Sequence, residues 1–186
     1  MKVLEGIEKR RSIRKFKKKE VKWSLVLEAI DAALQSPLAG NINALKFIVI
    51  TSQELKNALA QHADQDWIAE ADTLVAVCSD EAQLERMYYD RANRYARQQA
   101  GAAIQNFLLR ITELDLCACW IGAYLDSAVK RDLKIPDNVN VEALLAVGHP
   151  AEKPKHPKKA VLESTIMWEQ WGQKKRPVQS QDTKTW

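Results

Sequence analysis

The stretch KRRSIRKFKKKE at residues 9–20 concentrates one kind of chemistry. Eight of the eleven residues from Lys9 to Lys19 are lysine or arginine and none is acidic, so the segment is built to meet an anion. Arginine offers a permanently charged, planar fork of donors suited to a phosphate dianion, and Ser12 adds a hydroxyl at tight spacing. From these residues alone the anion could be a nucleic acid, a membrane surface or one particular phosphate. Farther along, Asn41 and Asn43 place two amides in one loop. Each amide presents a donor and an acceptor together, useful against a polar ring edge, although asparagine also makes local turns.

Charge bookkeeping narrows the choice. The formal net charge is +4, so removing the eight charges of Lys9–Lys19 leaves 4 − 8 = −4 for the remainder. Basicity is local, which argues against a nucleic-acid footprint spread over a whole face. Other chemistries lack their parts. His62, His149 and His156 are scattered, and the C-x-C of Cys117 and Cys119 has no partner pair for a metal. The three cysteines lie in apolar runs and read as packed, reduced thiols. No G-x-S-x-G, P-loop or G-x-G-x-x-G motif is present, so any hard chemistry would belong to a bound cofactor. Met1–Lys19 is charged throughout, without a signal-peptide pattern, and no 18-residue apolar run occurs. The expectation is a cytoplasmic protein with no membrane partner.

The elements that must position these residues are legible in outline. At 46% apolar and 28% charged residues, a chain of 186 residues reads as one globular domain. SLVLEAIDAALQ at 24–35 has helical spacing, with Ser24 as N-cap and Pro37 beyond its end. LAGNINAL reads as a loop, KFIVITS and DTLVAVCS as buried strands, and residues 52–64 as a polar helix. In QQAGAAIQNFLLRITELDL, Ala100, Ala103, Ile104, Phe107, Leu108, Ile111 and Leu114 form a core-facing helical stripe. Gly101 inside it predicts a close approach to that helix face. CACWIGAY follows as strand or turn, SAVKRDL as a short helix, VEALLAVGHP as a strand, TIMWEQW as a last helix and QKKRPVQSQDTKTW as an extended tail.

Four segments in this order and spacing, RRSIRKF (10–16), SPLAGNINALKF (36–47), AGAAIQN leading through LDLCACWIGAY to Gly122, and LLAVGHPAEKPKHPKK, resemble the nitroreductase family of FMN-binding flavoproteins. The likeness runs from about residue 4 to 172. It implies an α+β fold, a central mixed sheet flanked by helices, in an intertwined homodimer. Residues 1–172 would form the FMN-binding domain, and the tail 173–186 would reach the partner subunit. On this resemblance Arg10, Arg11, Ser12 and Arg14 hold the ribityl phosphate and the polar flavin edge, with Lys158 and Lys159 coming to the same phosphate. Pro37, Leu38, Asn41 and Asn43 would meet the pyrimidine end of the ring from the other subunit. Backbone N–H groups near Ile121 and Gly122 would donate at the flavin N5/O4 region, with Trp120 as a wall or core residue. Lys15, Lys17, Lys18 and Lys19 read instead as solvated charge.

The implied activity is an FMN-dependent oxidoreductase carrying a hydride from NAD(P)H to an electron-poor acceptor such as a nitroaromatic or quinone. No side chain is required as a catalyst. An alternative within the same resemblance is a flavin-binding or flavin-modifying protein, dehalogenase-like or FMN-cleaving. A nucleic-acid binder using Lys9–Lys19 is the alternative from another class. The chain departs from the family pattern at Ala44, Leu45, Gln99 and Ile121. These departures leave the acceptor and the choice between NADH and NADPH open.

Overall fold

The computed structural model describes residues 1–155 and 157–177. In chain order the elements are α1 (Val3–Lys9), β1 (Phe16–Lys17), α2 (Trp23–Leu34), β2 (Leu45–Ile50), α3 (Gln53–His62), β3 (Thr73–Asp80), α4 (Ala82–Tyr88), α5 (Ala92–Glu113), β4 (Cys117–Ile121), α6 (Asp126–Leu133), β5 (Val139–Pro150) and α7 (Leu162–Thr165). They fall into two compact units, Met1–Pro154 and Lys155 onward.

In the first unit β3 and β5 are apolar on both faces, so both faces must be covered. Leu74, Ala76 and Cys78 of β3 join Leu144 and Ala146 of β5 in a core with Leu59 of α3 and Val129 of α6. Val75 and Val77 point the other way and join Ala143, Leu145 and Val147 against Val26, Ala29 and Ala33 of α2 and Ile104, Phe107 and Ile111 of α5. This is the period-two alternation of a strand, with a helical layer on each side.

Strand β5 is the hub: it pairs with β3 along one side and with β4 along the other, and its last residues pair with β1. β2 pairs only with β3 and forms an edge. All ladders are antiparallel, so the parallel component of the expected mixed sheet is a single bridge, Ser12 to Ala118. A helical face on each side of an antiparallel sheet gives the expected α+β class.

Several local expectations are corrected. The second helix begins at Trp23 after Lys22, which leaves Ser24 inside its first turn instead of capping it. Ser52, by contrast, accepts from Leu55 N–H at the start of α3. The long helix starts at Ala92, well before Gln98, because Ala92 and Ala96 extend its apolar face into a third cluster with Ala44 and Leu84. A Cβ at Gly101 would meet nothing within 4 Å, so no described residue of this chain makes the close approach expected there. Ala103 is fully buried, as its place in the core-facing stripe leads one to expect. In the second unit the helix covers Leu162–Thr165, and TIMWEQW is not helical as a whole. Glu169 (φ 58°) and Gly172 (φ 87°) take left-handed conformations, and the chain turns there with Trp168 N–H donating to Gln173 O at 2.8 Å. Of the expected tail, residues 178–186 lie outside the described residues, as does His156.

Candidate functional site

The basic segment is held in place largely by its backbone. α1 ends as Arg10 N–H donates to Gly6 O, and the chain then runs extended beside β4. Ile13 N–H donates to Ala118 O at 3.3 Å, and the Ile13 side chain is buried at 5% exposure. Ser12 and Arg14, its neighbours, point outward by strand alternation and are exposed. Glu152 fixes the next step, accepting from Arg14 N–H at 2.8 Å and Lys15 N–H at 3.2 Å. The Arg14 guanidinium lies over Trp67, 5.7 Å from the ring centroid, a cation–π geometry that limits its swing. Phe16 packs near the same indole, with centroids 6.5 Å apart.

The charges of Arg14 and Arg10 and the Ser12 hydroxyl all act on the buried Cys119 thiol. Burial pushes the Cys119 thiol up, while the Arg14 charge, a Ser12 hydrogen bond and the Arg10 charge pull the other way. Arg11 behaves differently: its Nη1 donates to Glu8 O at 2.5 Å and Arg10 O at 2.7 Å, satisfying carbonyls at the end of α1. Lys15, Lys17, Lys18 and Lys19 are exposed. Lys158 and Lys159 lie in the second unit and are exposed.

Downstream of Cys119, Trp120 is 41% exposed and Ile121 buried. Gly122 and Ala123 are exposed, and their N–H groups donate to no described residue. A Cβ on Gly122 would meet nothing within 4 Å, so the space over this backbone is open. The backbone just past β4 thus presents unpaired donors, and β4 itself carries the basic segment through the Ser12–Ala118 bridge.

The amide loop is built at the other edge of the sheet. Ser36 closes α2 with its N–H on Ala33 O, and Pro37 and Leu38 lead into a 3-10 turn, Ala39–Asn41. Gly40 (φ 56°) and Asn41 (φ 58°) are both left-handed. Asn41 is exposed with no side-chain partner among the described residues, while Asn43 Oδ1 accepts from Leu45 N–H at 2.9 Å. Asn43 is therefore half committed to a local turn and Asn41 is free. The Ser36 hydroxyl is buried and has no hydrogen-bond partner among the described residues. β2 and β4 are three strand spacings apart across β3 and β5, roughly 14 Å at about 4.8 Å each.

The described residues contain no cluster of three metal-ligating side chains and no helix long and apolar enough to cross a membrane. His62 bonds Asp132 at 2.7 Å, and His149 Nε2 lies 3.2 Å from Glu20 O. Trp67, Glu152, Cys119 and Ser36 were not anticipated as site residues. Glu152, within the quoted GHPAEKP run, is the one acid among the basic and proline residues there, which could have marked it.

The sequence matches a known family over most of its length. The nitroreductase family model matches residues 7–81 and 60–149. The chain belongs to the nitroreductase family. A protein of Methanothermobacter thermautotrophicus, provisionally named NADH dehydrogenase/NAD(P)H nitroreductase, is 32% identical over 159 residues, covering 83% of this chain and 80% of that one. A nitroreductase family protein from Clostridium novyi NT superposes with a TM-score of 0.76 at 26% identity, over 93% of this chain and 96% of the other. The NADPH:FMN oxidoreductase of Vibrio harveyi, solved with NAD+, has the same fold at 23% identity, with a TM-score of 0.83 over 90% of this chain and 77% of its own.

Burial disfavours the thiolate form of all three cysteines of this nitroreductase-family chain. Burial pushes Cys78 up to about 11, with the Glu142 carboxylate adding to the effect. Cys117 goes up to about 12, again through burial and then Glu152. A thiol with its folded value raised above the usual 9.0 adds stability that is complete below that value and lost as pH climbs toward the folded one. Iodoacetamide at pH 8 is expected to label none of the three in the native protein and all three after unfolding in denaturant, read by intact mass. Rapid native labelling of Cys119 would mean that its side chain reaches solvent.

Proposed function

We propose that the protein is an FMN-dependent oxidoreductase that uses NAD(P)H to reduce an electron-poor acceptor, a nitroaromatic or quinone. The single observation that carries this is that Arg10, Ser12 and Arg14 lie on a segment bridged to β4, and that β4 runs on into the open, unpaired backbone donors of Gly122 and Ala123. That donor set fits FMN: a charged cluster suits the phosphate dianion, and fixed N–H groups suit the ring edge where charge gathers on reduction. The orphaned Ser36 hydroxyl beside Pro37 and Leu38 gives the amide loop a second unmet donor. When bound, the flavin supplies the hydride-accepting atom and the two-electron chemistry that no side chain here could provide.

The chain's own part is positional. Arg10, Ser12 and Arg14 anchor the phosphate, and Arg11 braces the end of α1. Gly122 and Ala123 donate to the ring, Ile121 backs it from the core, and Trp120 walls it. Pro37, Leu38, Asn41 and Asn43 present the loop, with Asn41 the free amide. Lys158 and Lys159 belong to the proposal on the resemblance alone.

Opposite sheet edges favour a homodimer. One ring cannot readily touch the β4 edge and the β2 loop of the same chain, so the loop would come from a second copy. Exposed apolar side chains are available to cover such an interface: Val3 (76%), Leu4 (65%) and Ile7 (50%) on α1, and Trp23 (70%), Leu27 (47%) and Leu34 (41%) on α2. Gly101 and its open space on α5 add room for a close approach. The visible spectrum tests the proposal. Purified protein incubated with FMN and desalted should keep flavin absorbance that bleaches with NADH or NADPH and returns with a quinone. A folded protein that stays colourless would end the reading.

A further inference from the structure

Gln99 is a polar residue on a core face. It lies on α5 in register with Ala92, Ala96 and Ala103, and only 3% of it is exposed. With the amide oriented by its hydrogen bonds, Nε2 donates to Ile42 O at 3.2 Å and Oε1 accepts from Ala39 N–H at 3.1 Å. Both bonds go to one turn, whose middle residues Gly40 and Asn41 are left-handed. A Cβ on Gly40 would run into the Tyr88 hydroxyl, so α4 closes the turn from another side. Tyr88 is itself braced edge-on by Tyr95, 4.9 Å between centroids.

We infer that Gln99 is a positioning residue: its neutral amide clamps both ends of the 39–42 turn and so presets Asn41 for the ring edge. The inference rests on the flavin reading above. Its chemistry is specific. Only a group that donates and accepts at once can hold Ile42 O and Ala39 N–H together. A carboxylate would accept at Ala39 but would face the Ile42 carbonyl without a proton. A protonated carboxylic acid again has one donor and one acceptor in nearly the same places, and burial favours that neutral form.

Gln99→Glu therefore converts the clamp into a pH-dependent one, and Gln99→Ala removes it. FMN affinity would be measured by flavin fluorescence titration of wild type and both variants from pH 5 to 8. Titratable side chains on the elements packed around the turn are Lys46 of β2, Asp80 and Glu81 around the end of β3, Glu85 and Tyr88 of α4 and Tyr95 of α5, with Arg86 and Arg94 permanently charged. All of them are common to wild type and variants, so the ratio of affinities isolates position 99.

At pH 5 Gln99→Glu should bind FMN within about 3-fold of wild type, and at pH 8 about 10-fold more weakly. Gln99→Ala should be about 10-fold weaker at both. Amide hydrogen exchange of residues 38–43 without FMN gives a readout independent of binding. The variant-to-wild-type exchange ratio for Gln99→Glu should rise with pH. Low-pH recovery of Gln99→Glu is a rescue that a misfolded variant would not give. A Gln99→Glu profile parallel to wild type in both measurements would overturn the inference. Failure of wild type to bind FMN would sink the parent reading, and the exchange ratio would then decide the role of Gln99 alone.

Discussion

Arg14→Ala should weaken FMN binding by about 10- to 150-fold, the loss of one charge-assisted hydrogen bond of about 1.5–3 kcal/mol. The argument is geometric. Arg14 has its backbone tied to Glu152 and its guanidinium over Trp67. A pre-placed guanidinium gives up little entropy on meeting a phosphate, so its removal costs close to the full bond. Arg14→Lys should fall between, since it keeps the charge and loses the planar fork. Lys18→Ala, on the solvated side of the segment, should leave affinity within about 2-fold. The wild-type titration should weaken below about pH 6, where a phosphate monoester takes up its second proton. Equal affinities for wild type and Arg14→Ala would remove Arg14 from the site.

The second large effect is on stability. Phe107 is fully buried on α5 between Val26, Ala29 and Ala33 of α2 and Val75, Val77 and Leu145 of the sheet. Phe107→Ala leaves a void that alanines and β-branched side chains on rigid elements cannot refill, so about 3–5 kcal/mol should be lost. For a chain of this length that corresponds to a thermal midpoint lower by roughly 6–20 °C, measurable by circular dichroism. Gln98→Ala, one turn away from the core face and exposed, should shift it by no more than about 2 °C. A loss below about 1 kcal/mol at Phe107 would contradict the packing of α5 on the sheet.

What was legible in the sequence divides along physical lines. DTLVAVCS and VEALLAVGHP were readable as strands because residues buried on both faces make continuous apolar runs, and the structure places β3 and β5 there. α3 and α6 lie in the stretches read as a polar helix and a short helix. α1 was not anticipated: its apolar residues Val3, Leu4 and Ile7 face outward, so the usual inward stripe is missing from the chain. TIMWEQW misled because Ile166, Met167 and Trp168 are consecutive and apolar, a local pattern that left-handed Glu169 and Gly172 override.

At the site, the arginine strand and the asparagine loop were recognisable as segments. Their distribution between opposite edges was not, since strand order is a property of long-range pairing. Trp67 gave no signal at all, because nothing near it in sequence says that an arginine over fifty residues earlier will cover its ring. Gln99 did give one, a lone amide interrupting the row Ala92, Ala96, Ala103.

Distribution across two sheet edges has a genetic corollary. If each seat for the prosthetic group draws its arginines from one subunit and its amide loop from the other, a subunit crippled at Arg14 and one crippled at Asn41 are damaged at different halves. When such subunits pair, one seat inherits both faults and the other inherits neither. Scrambled in equal amounts, two colourless populations would regain about a quarter of their yellow colour by random association. Two recessive lesions would then cure each other in a way that a seat confined to a single polypeptide never permits.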